Sequence, residues 1–400
     1  MTAPRFEGPF GYENWRANRA NAPTTRGSEA FVYSDSRFSG EISTGLGPYQ
    51  LINTIAMPPK GMVTPVFAMR MDEHLSTEVF ENVAQSLFAR QRTALAHYHG
   101  GDMCDEISAL FSLALGVRFY AGPTTRRFDA RNDPRGRPIS PEEAAPSIIP
   151  GRSRPVIPAI VRDDCAIEAG PVGSYPDLSG PDALALARAA RSYQEAIWVA
   201  DGDPQLSWLL LVSAVETAAA RWARTTGTFS ASDADVLRSG NPELSQLLYA
   251  AGGEQLLSGV AAHIAQGMKA GHRFREFICT FAPTPPQPRP SSWCATDWTE
   301  AGLRDALRKI YSHRSKALHE STPFPPPMCR PPSHLLNDEG VTAPTEKPLG
   351  LSEFAHGGHW QASDTPMLLW VFEYIVRSSL MAWWTSLVPT ATLHVEPSTR

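Results

Sequence analysis

Charge is scarce in this chain. Asp, Glu, Lys and Arg make up 19% of its 400 residues, the formal net charge is -5 and the isoelectric point is about 6.1. A globally basic nucleic-acid coat is thereby excluded. Any RNA surface has to be a local patch, because phosphate contacts dominate nucleic-acid affinity. Cysteine is sparse too: Cys104, Cys165, Cys279, Cys294 and Cys329 are scattered, odd in number and form no C-x-x-C pair. That pattern excludes a disulfide framework and predicts the reduced thiols of a cytoplasmic protein. Long uninterrupted apolar runs are missing. The most apolar segment, 367–388, contains Glu373 and Arg377 at i,i+4 spacing, which predicts a buried or amphipathic helix and no membrane span. Met1 to Pro9 lack the apolar core of a signal peptide, so secretion is not expected. The phosphate-binding P-loop, G-x-S-x-G and a G-x-G-x-x-G opening a helix are all missing, which removes P-loop nucleotide hydrolysis and serine-hydrolase chemistry. His97-x-His99 and His356-x-x-His359, even with the distant Cys294 or Cys329, make no recognisable four-ligand spacing. Neither a metal nor a cofactor is expected.

Proline is present in excess, at 36 residues. This is nearly twice its average share and predicts long loops or linkers. The length suits about two or three domains. The pattern reads as α+β: a mixed α/β region over 1–175, then an all-α helical bundle over 176–400. In the first region Glu29-Ala30-Phe31-Val32-Tyr33 and Val66 to Met71 read as strands, and His74 to Tyr98 as helical. Asp102 to Leu115 reads as a helix with Asp102 as N-cap and Gly116 as its stop. A strand is expected over 117–120, and little regular structure in the Pro/Gly/Arg-rich stretch 121–180. In the second region Pro181 opens a helix to Val199. Asp203-Pro204 opens another to about Arg224, apolar on all sides at its centre and therefore central. Helices over 244–257, 259–281 and 299–319 follow. A proline-rich loop spans 322–363, and Thr365-Pro366 opens the last helix, to about Val388.

The chemistry-bearing stretch is Tyr311-Ser312-His313-Arg314-Ser315-Lys316-Ala317-Leu318-His319-Glu320. It places an arginine five residues before a histidine near a helix end. An always-charged guanidinium and an imidazole suit phosphodiester chemistry without a metal. His319 is the candidate general acid or base, and Arg314 the candidate phosphate grip. Glu216, on the central helix, is the candidate partner that orients one of them. Ser315, His313 and Lys316 flank the pair and are candidate substrate contacts. Five residues on an ideal helix turn about 500°, which leaves the two side chains roughly 140° apart. Convergence then needs a bend near Ser315, the reach of arginine, or a second copy of the chain. The structural alternative is an Arg314–Glu216 lock between helices, with His319 at a helix C-terminus.

The order of features resembles a HEPN domain of the Apea-like branch over about 180–388. The segments that carry this are Trp208 to Glu216, Arg314-Ser315-Lys316-Ala317-Leu318-His319, and Leu369 to Arg377. Asp105 to Arg118 resembles the region that often precedes such domains. The Arg-x4-His pattern is similar to the family's catalytic signature, although Ser315 stands where active members often carry Asn, Asp or His. The resemblance implies a helical bundle, a homodimer that brings two Arg/His pairs together, and metal-independent RNA cleavage, as in toxins or antiviral effectors. The alternative it leaves is a catalytically silent module that binds RNA, a nucleotide or a protein partner.

Two further basic groups stand out. Arg118, Arg126, Arg127, Arg131, Arg135 and Arg137 lie near Phe119, Tyr120 and Phe128, the composition of a phosphate- and base-stacking surface. Lys269, His272, Arg273 and Arg275 form the other. Both read first as solvated charge.

Overall fold

The computed structural model describes residues 6–24, 26–54, 62–75, 95, 97–140, 145–148, 154–227 and 232–389. Its first layer is a five-stranded antiparallel sheet. The strands are β1 (Arg26–Ser34), β3 (Tyr49–Asn53), β4 (Thr64–Glu73), β5 (Tyr120–Asp129) and β6 (Asp133–Pro138), in the order β3-β4-β1-β5-β6. A short parallel pair, β2 (Phe38–Ser39) with β7 (Cys165–Ala166), lies beside it. Alternation sets the buried face: Ala30, Val32 and Ser34 of β1 point inward with Phe67 and Met69 of β4.

Against this face pack α1 (Phe10–Arg19) and α2 (Met103–Leu115). The expected limits of α2 hold. Asp102 and Asp105 form a reciprocal capping box, and Gly116 ends the helix at φ +68° because glycine takes the left-handed conformation without strain. The bundle follows: α3 (Gly180–Val199), α4 (Pro204–Thr226), α5 (Asp233–Gly240), α6 (Pro242–Thr280), α7 (Glu300–His319) and α8 (Leu369–Leu387). Between α7 and α8 lie two hairpins, β8 (His334–Leu336) with β9 (Thr342–Pro344), and β10 (Ser352–Ala355) with β11 (Gly358–Gln361). Among the described residues no helix is long and apolar enough to cross a membrane.

Several expectations change. Residues 121–180 contain most of β5 and all of β6. Gly122-Pro123 looked like a breaker, but it lies where the β1–β5 register shifts, and proline is tolerated at bulges. Of the strand expected over 117–120, only Tyr120 belongs to β5. The loop expected over 322–363 carries two hairpins, and α1 and α5 were not foreseen. The helices expected over 244–257 and 259–281 form one element whose break is at Gly252 and Gly253. α8 starts at Leu369, four residues after Thr365. The helix expected over 74–98 lies largely outside the described residues.

One continuous cluster of buried side chains includes Phe67 and Phe111 from the sheet region and Tyr193, Trp208, Leu211 and Phe372 from the bundle. Near residue 175, where the sequence places a boundary, Val172 and Tyr175 belong to the same cluster. Buried ionic groups tie the regions further. Arg118 is 2% exposed and donates to Asp35 (2.6 Å), Asp201 (2.8 Å) and the Ile197 carbonyl (2.8 Å). It therefore leaves the basic cluster in which the sequence grouped it. Arg377 of α8 donates to the Leu113 and Ala114 carbonyls at the C-terminus of α2, where a cation satisfies unpaired backbone acceptors.

Candidate functional site on helix α7

The sequence of α7 explains its seating. Leu303, Ala306, Leu307 and Ile310 are its buried residues, spaced as one face of an α-helix. Thr299 caps the N-terminus by accepting from Gly302 N (3.1 Å). Continuing the stripe by helical spacing reaches Tyr311 and Arg314. These two side chains therefore face α4, half-buried, although both are polar.

Glu216 of α4 meets them. Arg314 Nη2 donates to Glu216 Oε2 (2.7 Å), and the Tyr311 hydroxyl donates to Glu216 Oε1 (2.8 Å). The Arg314 guanidinium also lies 5.5 Å from the Tyr311 ring centroid. Both carboxylate oxygens are thus engaged, and one guanidinium edge is fixed. Arg314 Nε is shielded from solvent without a hydrogen-bond partner among the described residues. Burial and the hydrogen bond to Glu216 raise the Tyr311 phenol above its ordinary value, so it stays a neutral donor. The sequence suggested Glu216 as partner of Arg314 or His319, and the geometry pairs it with Arg314. Tyr311 received no role from the sequence. Its spacing, three residues before Arg314 and one after Ile310, is the signal that places it on the same face.

His319 is the last residue of α7 and is exposed. The chain leaves the helix through Ser321 at φ +54°, while Glu320 N and Thr322 N close on the Lys316 carbonyl. Ser315 is half-buried and Lys316 exposed. Among the described residues, the side chains of Ser315, Lys316 and His319 make no hydrogen bond or ion pair. His313 is otherwise engaged. Its Nε2 lies 2.8 Å from the Asp364 carbonyl, which can only accept, so this nitrogen carries the proton. Burial lowers the His313 pKa, which favours the neutral ring. His313 thus holds the segment before α8 against α7.

α7 runs unbroken through Ser315. The bend that would bring Arg314 and His319 together is not there. Within one chain the two side chains leave different faces, about 140° apart in azimuth.

The other sequence candidates separate. His99 pairs with the fully buried Glu106 (3.2 Å), and His97 Nδ1 lies 2.6 Å from the Gly8 carbonyl. Among the described residues no three His, Cys, Asp or Glu side chains group as metal ligands. Arg126 pairs with Glu29 and Arg137 with Asp133, while Arg127, Arg131 and Arg135 are exposed. In the second basic group, Lys269 pairs with Asp233 and His272 with Glu276.

The insertion between α7 and α8 is anchored by one residue that sequence reasoning missed. Glu346 is fully buried. It accepts from Arg289 Nε (3.0 Å) and Nη2 (2.9 Å), Thr296 N (2.7 Å) and Trp298 Nε1 (3.0 Å). Trp208 of α4 stacks between Phe324 (5.2 Å) and Phe372 (4.7 Å). No family model, no curated protein and no solved structure matches the chain.

Proposed function

We propose that this chain is a metal-independent endoribonuclease of the HEPN type that works as a homodimer, in the manner of a toxin or antiviral effector. The observation that supports this most is the clamp on Arg314. A guanidinium held by Glu216 and bordered by Tyr311 is pre-oriented, and its free edge suits a bidentate grip on a phosphate. In the proposed reaction the RNA 2′-hydroxyl loses its proton to a base and its oxygen attacks the adjacent phosphorus. The 2′-O–P bond forms as the P–O5′ bond breaks, and the 5′-oxygen takes up a proton. His319, solvent-facing and uncommitted, is the group that takes or gives the proton. Arg314 stabilises charge on the phosphate oxygens, and Ser315 and Lys316 contact the strand. A second chain supplies the His319 that one chain cannot bring to its own Arg314.

Cleavage of RNA by wild type, Arg314→Ala and His319→Ala protein in EDTA tests this. Chelator-resistant cleavage leaving 2′,3′-cyclic phosphates, lost in both folded variants, is expected. Equal activity in all three proteins, or none in the wild type, would refute it. The second reading is a catalytically silent module that binds RNA, a nucleotide or a protein partner. The separation of Arg314 and His319 on an unbroken helix favours it.

A further inference from the structure

Beside the C-terminal end of α7 the fold encloses a cavity of about 590 Å³, within the range of roughly 300–1,000 Å³ usual for small-molecule sites. Four parts of the chain build it: Arg154 and Val156, the turn into α4 with its first residues, the proline-rich segment after α7, and the β10–β11 hairpin. Its walls combine the Trp360 indole with proline and small apolar residues; Phe324 also lines it but is 1% exposed.

Its polar groups are unevenly committed. Asp201 is fully used, by Arg118 on one oxygen and by Val156 N (2.7 Å) on the other. Arg330 is paired with Glu353. Arg154 and His356 are exposed and make no hydrogen bond or ion pair among the described residues. Among the described lining residues, Arg154 is thus the permanent cation without a counter-charge. The start of α4 adds to it: Asp203 takes the Leu206 N–H (3.0 Å) and Pro204 has none, leaving the Gln205 N–H among the unpaired donors of a helix N-terminus. Two lining residues also hold shielded polar atoms without partners, the donor Trp360 Nε1 and the acceptor Gln205 Oε1. Native structures rarely leave such groups unpaired.

The hairpin turn points the same way. His356 and Gly357 have φ of +48° and +81°, the signature of a two-residue type I′ turn. Glycine suits that position, and histidine is among the few other residues that adopt it readily. The turn places the His356 imidazole at the cavity rim. Burial pushes the Cys329 thiol up to about 12, so this wall offers no thiolate for covalent chemistry.

We infer that this cavity binds a small molecule that combines a planar aromatic ring with an anionic group. The ring lies against the Trp360 indole, and the anion meets Arg154, His356 and the α4 N-terminus. This inference does not depend on RNA cleavage. The chemistry has two common sources, a nucleoside monophosphate and an aromatic carboxylate. Isothermal titration of the full chain with adenosine monophosphate and with indole-3-carboxylate distinguishes them, with adenosine and indole as uncharged controls. Saturable binding of either anion is expected, at least tenfold weaker for its uncharged counterpart. It is also expected to weaken at least tenfold in Arg154→Glu and in Trp360→Leu. Arg154 is exposed, so its variant keeps the fold, and circular dichroism checks both. No saturable binding of either anion would overturn the inference. So would equal binding of the uncharged controls, or binding unchanged in both variants.

Discussion

Replacing Glu216 with alanine removes the acceptor of two donors at once, and its cost can be worked from the geometry. A hydrogen bond to a charged group contributes about 1.5–3 kcal/mol when buried. Arg314 and Glu216 keep 21% and 20% of their side-chain surface exposed, and solvent screening lowers the expected coupling to about 1 kcal/mol. The Tyr311 hydroxyl, 2.8 Å from the same carboxylate, adds about 1 kcal/mol more. Glu216→Ala is therefore expected to cost about 2 kcal/mol in urea unfolding, seen as a lower midpoint at unchanged slope. A double-mutant cycle with Arg314→Ala isolates the pair. A coupling of zero would mean that the clamp does not form in solution. Glu216→Gln separates structure from function, because its amide oxygen still accepts a hydrogen bond but no longer pairs with a cation. If the clamp orients Arg314 for phosphate, this variant keeps most of its stability and loses more than tenfold in RNA cleavage. Wild-type cleavage by a folded Glu216→Gln protein would refute the positioning argument and leave the pair as a lock between α4 and α7.

Glu346→Ala strands Arg289, Thr296 N and Trp298 Nε1 around a vacated buried site. Removing one partner of a buried pair costs about 3–5 kcal/mol; Arg289 keeps 30% of its side-chain surface exposed, so the lower end is expected, and a clear fall in Tm checks it. Glu373, fully buried, accepts from the Tyr193 hydroxyl (2.5 Å), and desolvation raises its pKa above the ordinary 4.5. A raised carboxyl contributes stability that is complete below 4.5 and lost as pH rises through the folded value. Glu373→Gln is thus expected to gain on wild type as pH rises from 4.5 toward neutrality, read from urea midpoints across that range. A constant difference would contradict it. If the catalytic site joins Arg314 of one chain to His319 of another, mixing inactive Arg314→Ala and His319→Ala proteins restores about a quarter of wild-type cleavage, from one good site in half of the dimers. No recovery on mixing would remove the shared site.

Several helices were legible because their punctuation is local. Asp203-Pro204 and Thr299 in the second region and Asp102 in the first each signal a helix start within four residues of sequence, and each caps its helix. The misread elements depend on distant partners. β5 carries Gly122-Pro123 and four arginines or threonines, and is a strand because β1 lies beside it. The β10–β11 hairpin rests on a two-residue turn, His356-Gly357, whose histidine hides a familiar turn pair. α1 is short, and its first turn is completed from far away. Glu106 of α2 accepts from Gly11 N (2.9 Å) and Tyr12 N (2.8 Å). The cap of α1 thus lies more than ninety residues along the chain, where no local pattern can announce it.

The same distinction governs the site. The Arg-x4-His spacing is local and visible, but what each residue does depends on what faces it. Arg314 falls on the apolar stripe of α7, so burial obliges it to find a counter-charge, and Glu216 on the neighbouring helix supplies one. His319 falls outside that stripe, at the helix end, and stays free in solvent. A spacing of five residues cannot place both on one face of a straight helix. The motif in one chain therefore amounts to a positioned guanidinium and a separate, uncommitted imidazole. Chemistry at a single phosphate then requires either the reach of the arginine's free edge or an imidazole arriving from outside the chain.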